Sequence, residues 1–300
     1  VMFYMSVLGI VQEIAYLAHF RWLYDINYLL PGIGVGPATS EGPFLRVFSV
    51  FAEPGHFGIA LTPAVYVAVN VLFYGGRAFY SRLQAITVIV ALLLTFSSVG
   101  YTGLVLSLLV GAGPRRAVRA LILLSCVATV GLLYVANLRS RVFGIVELAA
   151  GGESLDENAS SLIFYLNAEV ARASFLAHPL WRSGLGSHFV SYTNYLTQAG
   201  LSQAIARFLS FMKPEDLNRD DAYAMLLRLP SELGLLGVLS AVYFFVSNRV
   251  RVAVEPYRLL SGMCIAFFLT YCVREGHYFR FELWYSLALY AYLNYGAVHE

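Results

Sequence analysis

The 300-residue chain is 59% hydrophobic and only 13% charged, with a formal net charge of +2 and a mean hydropathy of +0.67. A soluble domain of this size would have too little charge to cover so much apolar surface, so the composition predicts an integral membrane protein. The small net charge and the absence of any RNA- or DNA-binding motif argue against a nucleic-acid partner.

Along the chain, apolar runs lie at 1–20, 57–76, 83–97, 99–112, 120–136, 223–247, 259–273 and 282–297. Most approach the ~20 residues that a helix needs to cross a bilayer. The runs at 83–97 and 99–112 are short, parted only by Ser97, Ser98, Val99 and Gly100. They read either as two spans around a tight turn or as one broken helix. Alternating leaflets puts three short loops on one side. These carry Arg77 and Arg82, then Arg115, Arg116 and Arg119, then Arg249, Arg251 and Arg258, against the single acid Glu255. Positive residues in short loops mark the cytoplasmic face.

The fold expected is therefore an all-α, polytopic membrane helix bundle of about eight spans, with both termini cytoplasmic and the lipid bilayer as a partner. It divides into N-terminal spans at 1–136 with an outer loop at 21–56, a large outer loop at 137–221, and C-terminal spans at 222–300. Val1 opens inside an apolar run without an initiator Met, so further residues are expected upstream. No charged n-region of a cleavable signal peptide precedes that run. Cys126, Cys264 and Cys272 all fall in predicted spans, which predicts no disulfide. The six histidines make no HExxH or equivalent pair, so neither a metal nor another cofactor is expected.

The loop at 137–221 reads as a small helical cap. A Gly/acid-rich linker with Gly151, Gly152, Glu153, Asp156 and Glu157 comes first. Ser160 or Ser161 then caps a helix running towards Ala177, which Pro179 ends. Gly184 and Gly186 permit close backbone approach, and a second helix is predicted over 187–211. Trp181, Tyr192 and Tyr195 are candidates for stacking on sugar rings. Asp220 and Asp221 suit helix caps as well as chemistry.

Ionisable groups at a bilayer boundary are costly unless they have a task, which draws the eye to RVFSVFAEPGHFG, Arg46 to Gly58. This segment resembles the R-x-x-S-x-F-x-E-P-x-x-F element of bacterial O-antigen and exopolysaccharide polymerases, the Wzy-type enzymes. TFSSVGYTGLVLSLLV (Thr95 to Val110) resembles their following S-x-S-x-x-G span. HPLWRSGLG (from His178) is similar to the P-hydrophobic-G-x-G element of their periplasmic loop, and SELGLLG (Ser231 to Gly237) to the E-x-G that opens the next span. The chain departs from the family in having no Arg near Leu162, where only Arg172 and Arg182 lie close. The related ligases carry a His before the last element, where this chain has Asp220, Asp221 and Tyr223, which favours a polymerase.

The resemblance implies a glycosyltransferase in the bacterial inner (plasma) membrane. It would join undecaprenyl-diphosphate-linked repeat units at the periplasmic face by inverting, metal-independent transfer, with a chain-length regulator protein as a possible partner. A leaving diphosphate needs positive charge more than a strong acid. Arg46, Arg172, Arg274 and Arg280, with His277, are the diphosphate-binding candidates. Arginine suits the task because its planar fork binds two oxygens at once. Glu53, His56 and Asp221 are the candidates to accept the acceptor's hydroxyl proton. Each has a plainer reading: Arg46 as an interfacial arginine, Glu53 as a helix N-terminal charge before Pro54, and the 274–280 group as part of an aromatic belt. The alternatives are an O-antigen ligase that delivers the glycan to lipid A-core, and a transporter or flippase for such lipids.

Overall fold

The computed structural model describes residues 1–25, 38–76, 79–111, 159–182, 184–196, 217–220, 222–249 and 256–299. The apolar run at 120–136, the Gly/acid linker, Cys126 and Asp221 lie outside these described residues. Among the described residues the chain is almost entirely helical. The helices are α1 (Met2–Leu17), α2 (Arg21–Tyr24), α3 (Pro54–Phe73), α4 (Arg82–Leu94), α5 (Ser98–Gly111), α6 (Ala159–Ala177), α7 (His188–Tyr195), α8 (Met225–Ser247), α9 (Tyr257–Arg274) and α10 (Phe281–His299). The exception is an antiparallel pair of two-residue strands, β1 (Ser40–Glu41) and β2 (Phe44–Leu45), with Ser40 opposite Leu45.

Among the described residues two helices, α3 with 20 residues and α8 with 23, are long and apolar enough to cross a membrane. Helices α1, α4 and α5 are apolar but shorter, and α4 with 13 residues reaches only about 20 Å. The apolar stretch at 83–112 is interrupted between α4 and α5. The helix stops at Leu94, Phe96 adopts a φ of 44°, and a new helix begins at Ser98.

The chain forms two compact units. The first comprises Val1–Ala136, Val250–Thr270 and Tyr285–Glu300. Its core is α3 packed on α4 and α5, with α1 against α4. Small residues make the α3–α5 seam: a Cβ added to Gly58 would lie 2.9 Å from the Gly100 Cα, and one added to Gly103 would lie 2.5 Å from the Thr62 hydroxyl. Removing side chains lets the two backbones approach closely, which is how helices associate where no water drives them together. Ser81 and Gln84 close a capping box at the start of α4.

The second unit comprises Asn137–Arg249 and Tyr271–Trp284. Here α6 packs on both α7 and α8. Helix α8 is broken: Gly234 has φ 64° and ψ −155°, so the helix stops and restarts four residues after Pro230. The break leaves backbone N–H groups without helical partners, and their new partners define the site below.

Candidate functional site

The EPG segment is pinned to α1 by two buried side chains. The amide of Gln12 donates to the Ser49 carbonyl at 2.9 Å and accepts from the Ser49 N–H at 2.8 Å. That two-point grip holds Ser49 at a φ of 53°, a conformation that costs a non-glycine residue energy. Glu13, an acid within the apolar run at 1–20, accepts the Leu45 N–H at 3.0 Å. Between these anchors, Arg46 is half-buried and its backbone N–H donates to Thr39.

Glu53 is the N-cap of α3, extended at φ −154°, with Pro54 at the first helical position where a missing N–H costs nothing. One turn on, His56 Nε2 lies 3.6 Å from Glu53 Oε1, and the two side chains are 31% and 45% exposed. A solvent-accessible carboxylate–imidazole pair can orient a ring nitrogen and take a proton from a hydroxyl. A Cβ on Gly55 would come within 3.9 Å of the Ser97 hydroxyl, so the SSVG segment lies directly against the EPG turn.

In the second unit, the break in α8 is met by the HPLWRSGLG segment. Leu235 N–H donates to the Pro179 carbonyl at 2.8 Å, Leu236 N–H to Leu180 at 3.2 Å, and Gly184 N–H to the Glu232 carbonyl at 3.2 Å. The Glu232 carboxylate, fully buried, accepts from Gly186 N–H at 2.9 Å and from His188 N–H at 3.0 Å. It thereby caps α7 from across the fold and places a negative charge at that helix's positive end. Arg228 neutralises it: its Nε is 2.8 Å from Glu232, its Nη1 donates to the Gly276 carbonyl at 2.7 Å, and its guanidinium lies 4.4 Å from the Tyr278 ring centre.

His188 sits fully buried beside this pair. Its Nδ1 is 2.9 Å from the Ser231 hydroxyl and its Nε2 is 3.1 Å from Asn167 Oδ1. The Asn167 amide nitrogen is committed to the Ile163 and Leu217 carbonyls, so its oxygen must face the ring and Nε2 carries the proton. Burial, then the Arg228 and Arg182 charges, push the imidazole pKa down to about 3. The unfolded chain therefore binds a proton at His188 that the folded chain refuses. Its contribution to stability is fully present above pH ~6.5 and is lost as pH falls towards 3, at up to about 1.4 kcal/mol per pH unit. Thermal unfolding of wild type and His188→Gln between pH 7 and pH 4 checks this, with the variant showing the shallower decline.

Arg182 donates to the hydroxyls of Ser174, Ser191 (2.8 Å) and Tyr195 (2.9 Å), and meets no carboxylate among the described residues. Nearby in sequence to α8, Ala222 and Tyr223 both hold positive φ, 60° and 65°. Arg274 lies 4.8 Å from the centre of the Tyr223 ring, and Arg280 reaches buried Glu275 at 3.5 Å. Strained backbone of this kind clusters at functional sites.

No protein-family model, curated protein or solved structure matches the chain.

The sequence-derived candidates thus fall into two groups. Arg46, Glu53 and His56 belong to the first unit, where Glu53 and His56 meet. Arg172, Arg274, His277 and Arg280 belong to the second. Of these, Arg172 pairs with Glu169 at 2.8 Å on an exposed face of α6, an arrangement that suits a surface ion pair. His277 is exposed, and its carbonyl accepts from the Tyr271 hydroxyl at 2.7 Å. Asp221 lies outside the described residues. Two expectations need correcting. Asp220 does not cap α8, whose N-cap is Ala224; it lies 3.6 Å from Arg219 instead. Tyr192 is 4% exposed and cannot stack on a sugar, because α7 turns it into the core with Ile163 and Val170. The helix predicted over 187–211 is described only as far as Tyr195. Sequence reasoning missed His188, Arg228, Ser231 and Asn167; the legible signal was Arg228 and Glu232 spaced i,i+4 within an apolar run.

Proposed function

We propose that this chain is a multi-pass glycosyltransferase of the bacterial inner membrane, with about eight spans, that polymerises undecaprenyl-diphosphate-linked repeat units at the periplasmic face. The observation that supports it is the pairing of the four segments resembling Wzy-type polymerases. They are far apart in sequence, yet they pack two by two: EPGHFG against SSVG through Gly58 and Gly100, and HPLWRSGLG against SELGLLG through Glu232 and Gly234.

In this reading the acceptor hydroxyl oxygen attacks the anomeric carbon as the bond to the diphosphate oxygen breaks. The electron pair leaves with undecaprenyl diphosphate. The hydroxyl proton passes to the Glu53–His56 pair, and Arg46, in the same unit, stabilises the developing diphosphate charge. A diphosphate already leaves readily, so the reaction requires no metal.

Polysaccharide from cells of the source bacterium carrying only Arg46→Ala enzyme tests this. The expected result is loss of long chains with accumulation of single-repeat products, and no recovery with Arg46→Lys, because an ammonium lacks the two-point grip. Long chains of normal length in every variant would contradict it. Lipid-linked polymer that forms but is never transferred would identify a ligase instead.

A further inference from the structure

The turn that caps the break in α8 carries a row of exposed apolar side chains: Leu180 (55% exposed), Trp181 (69%) and Leu185 (61%). From Leu176 to His188 the sequence holds no acid. Beyond His178, which is exposed at its start, the polar groups of the turn point the other way. Arg182 reaches the buried hydroxyls of Ser174 and Ser191, and the Gly186 N–H goes to Glu232. The turn is therefore amphipathic, apolar outward and polar inward.

What the apolar side faces follows from its attachment. The Pro179 and Leu180 carbonyls accept the first two N–H groups after Gly234, so the turn is fixed at the level where α8 restarts. From that level α8 presents an exposed apolar stripe at helical spacing: Leu236, Leu239, Tyr243 and Val246. A helix of this length and composition, with such a stripe uncovered, is suited to lipid. An N–H freed by a helix break at membrane depth needs an acceptor at the same depth, since lipid offers none. Tryptophan on that acceptor segment is a residue that an interface favours, and the leucines beside it suit the acyl boundary below.

We infer that the turn bearing Leu180, Trp181 and Leu185 is inserted into the outer-leaflet side of the bilayer, beside the restart of α8, and anchors the extracytoplasmic loop to the lipid surface. This rests on the reading that α8 crosses the membrane. The loop is thereby held at the headgroup layer, where a lipid-linked substrate must present its sugar.

The test uses the whole chain in nanodiscs containing lipids brominated at shallow or deep acyl positions, with iodide in the buffer as the aqueous quencher. The emission of Trp181 is the difference between wild type and Trp181→Phe, which leaves Trp22 and Trp284 undisturbed. Trp181 is expected to lose most of its emission to shallow bromines, less to deep ones, and little to iodide. Tyr243→Trp in the Trp181→Phe background provides the control for α8, and is expected to respond to deep bromines. Quenching of Trp181 by iodide alone, with the control still lipid-quenched, overturns the inference and leaves the span intact. A Trp181 shielded from both quenchers overturns it too, and points to a protein surface as the cover. If the Tyr243→Trp probe does not respond to lipid, the span reading fails and the inference falls with it.

Discussion

Glu232→Ala destabilises the second unit by about 3–5 kcal/mol, read as a large drop in unfolding temperature in detergent. The magnitude follows from what the carboxylate does. Its side chain is 0% exposed and that of its partner Arg228 is 8% exposed, so solvent screens the pair little. Removal leaves a buried guanidinium without its counter-charge and orphans the N–H groups of Gly186 and His188. An ion pair alone is often replaceable by apolar residues at no net cost. The double variant Arg228→Met/Glu232→Leu therefore separates two accounts. We expect it to stay well below wild type, because the two backbone donors still lack an acceptor and the Gly276 carbonyl loses its donor. Full recovery in the double variant would mean that Glu232 balances charge and does not anchor the loop.

Gly234→Ala is the second large effect. At φ 64° and ψ −155° the backbone lies in a region that essentially only glycine adopts, a strain of about 1–3 kcal/mol for any other residue. The new Cβ would also lie 2.9 Å from both the carbonyl carbon and the oxygen of Leu180. Those are backbone atoms that cannot swing aside as a side-chain tip does. The variant must either straighten α8 or push the HPLWRSGLG turn away, and both break the bonds from Leu235 and Leu236. Hydrogen exchange checks this directly: those two amides exchange much faster in Gly234→Ala, while amides of α3 keep their protection. Unchanged exchange at Leu235 and Leu236 would show that the turn is held by something other than the break.

Much of this organisation is visible in the sequence because it is local. Pro54 after Glu53 announces the start of α3, and Pro179 after the run from Ser160 announces the end of α6, which closes at Ala177. Gly58, Gly100 and Gly103 read as small residues, although only the fold shows that they share one seam. What stays hidden is long-range. Nothing in the local pattern around Gln12 says that its amide grips Ser49, or that Glu13 accepts from Leu45. His188 looks like one of six scattered histidines until Asn167 and Ser231 are brought to its two nitrogens. Trp181 and Tyr192 look alike as loop aromatics. The turn before α7 leaves Trp181 exposed, and the direction of α7 buries Tyr192. Apolar periodicity fixes which side of a helix is covered, but it does not say which remote carbonyl lies across the gap.

The most direct test of the proposed activity is extension of substrate by the purified protein. The chain is reconstituted in nanodiscs with a labelled undecaprenyl-diphosphate repeat unit from its source, with and without EDTA, and the products are resolved on a gel. The expected product is a ladder of polymer that survives EDTA and collapses to the single repeat with Arg46→Ala. Substrate left unextended by well-folded wild-type protein would contradict the proposed activity, and so would a ladder that Arg46→Ala leaves unchanged.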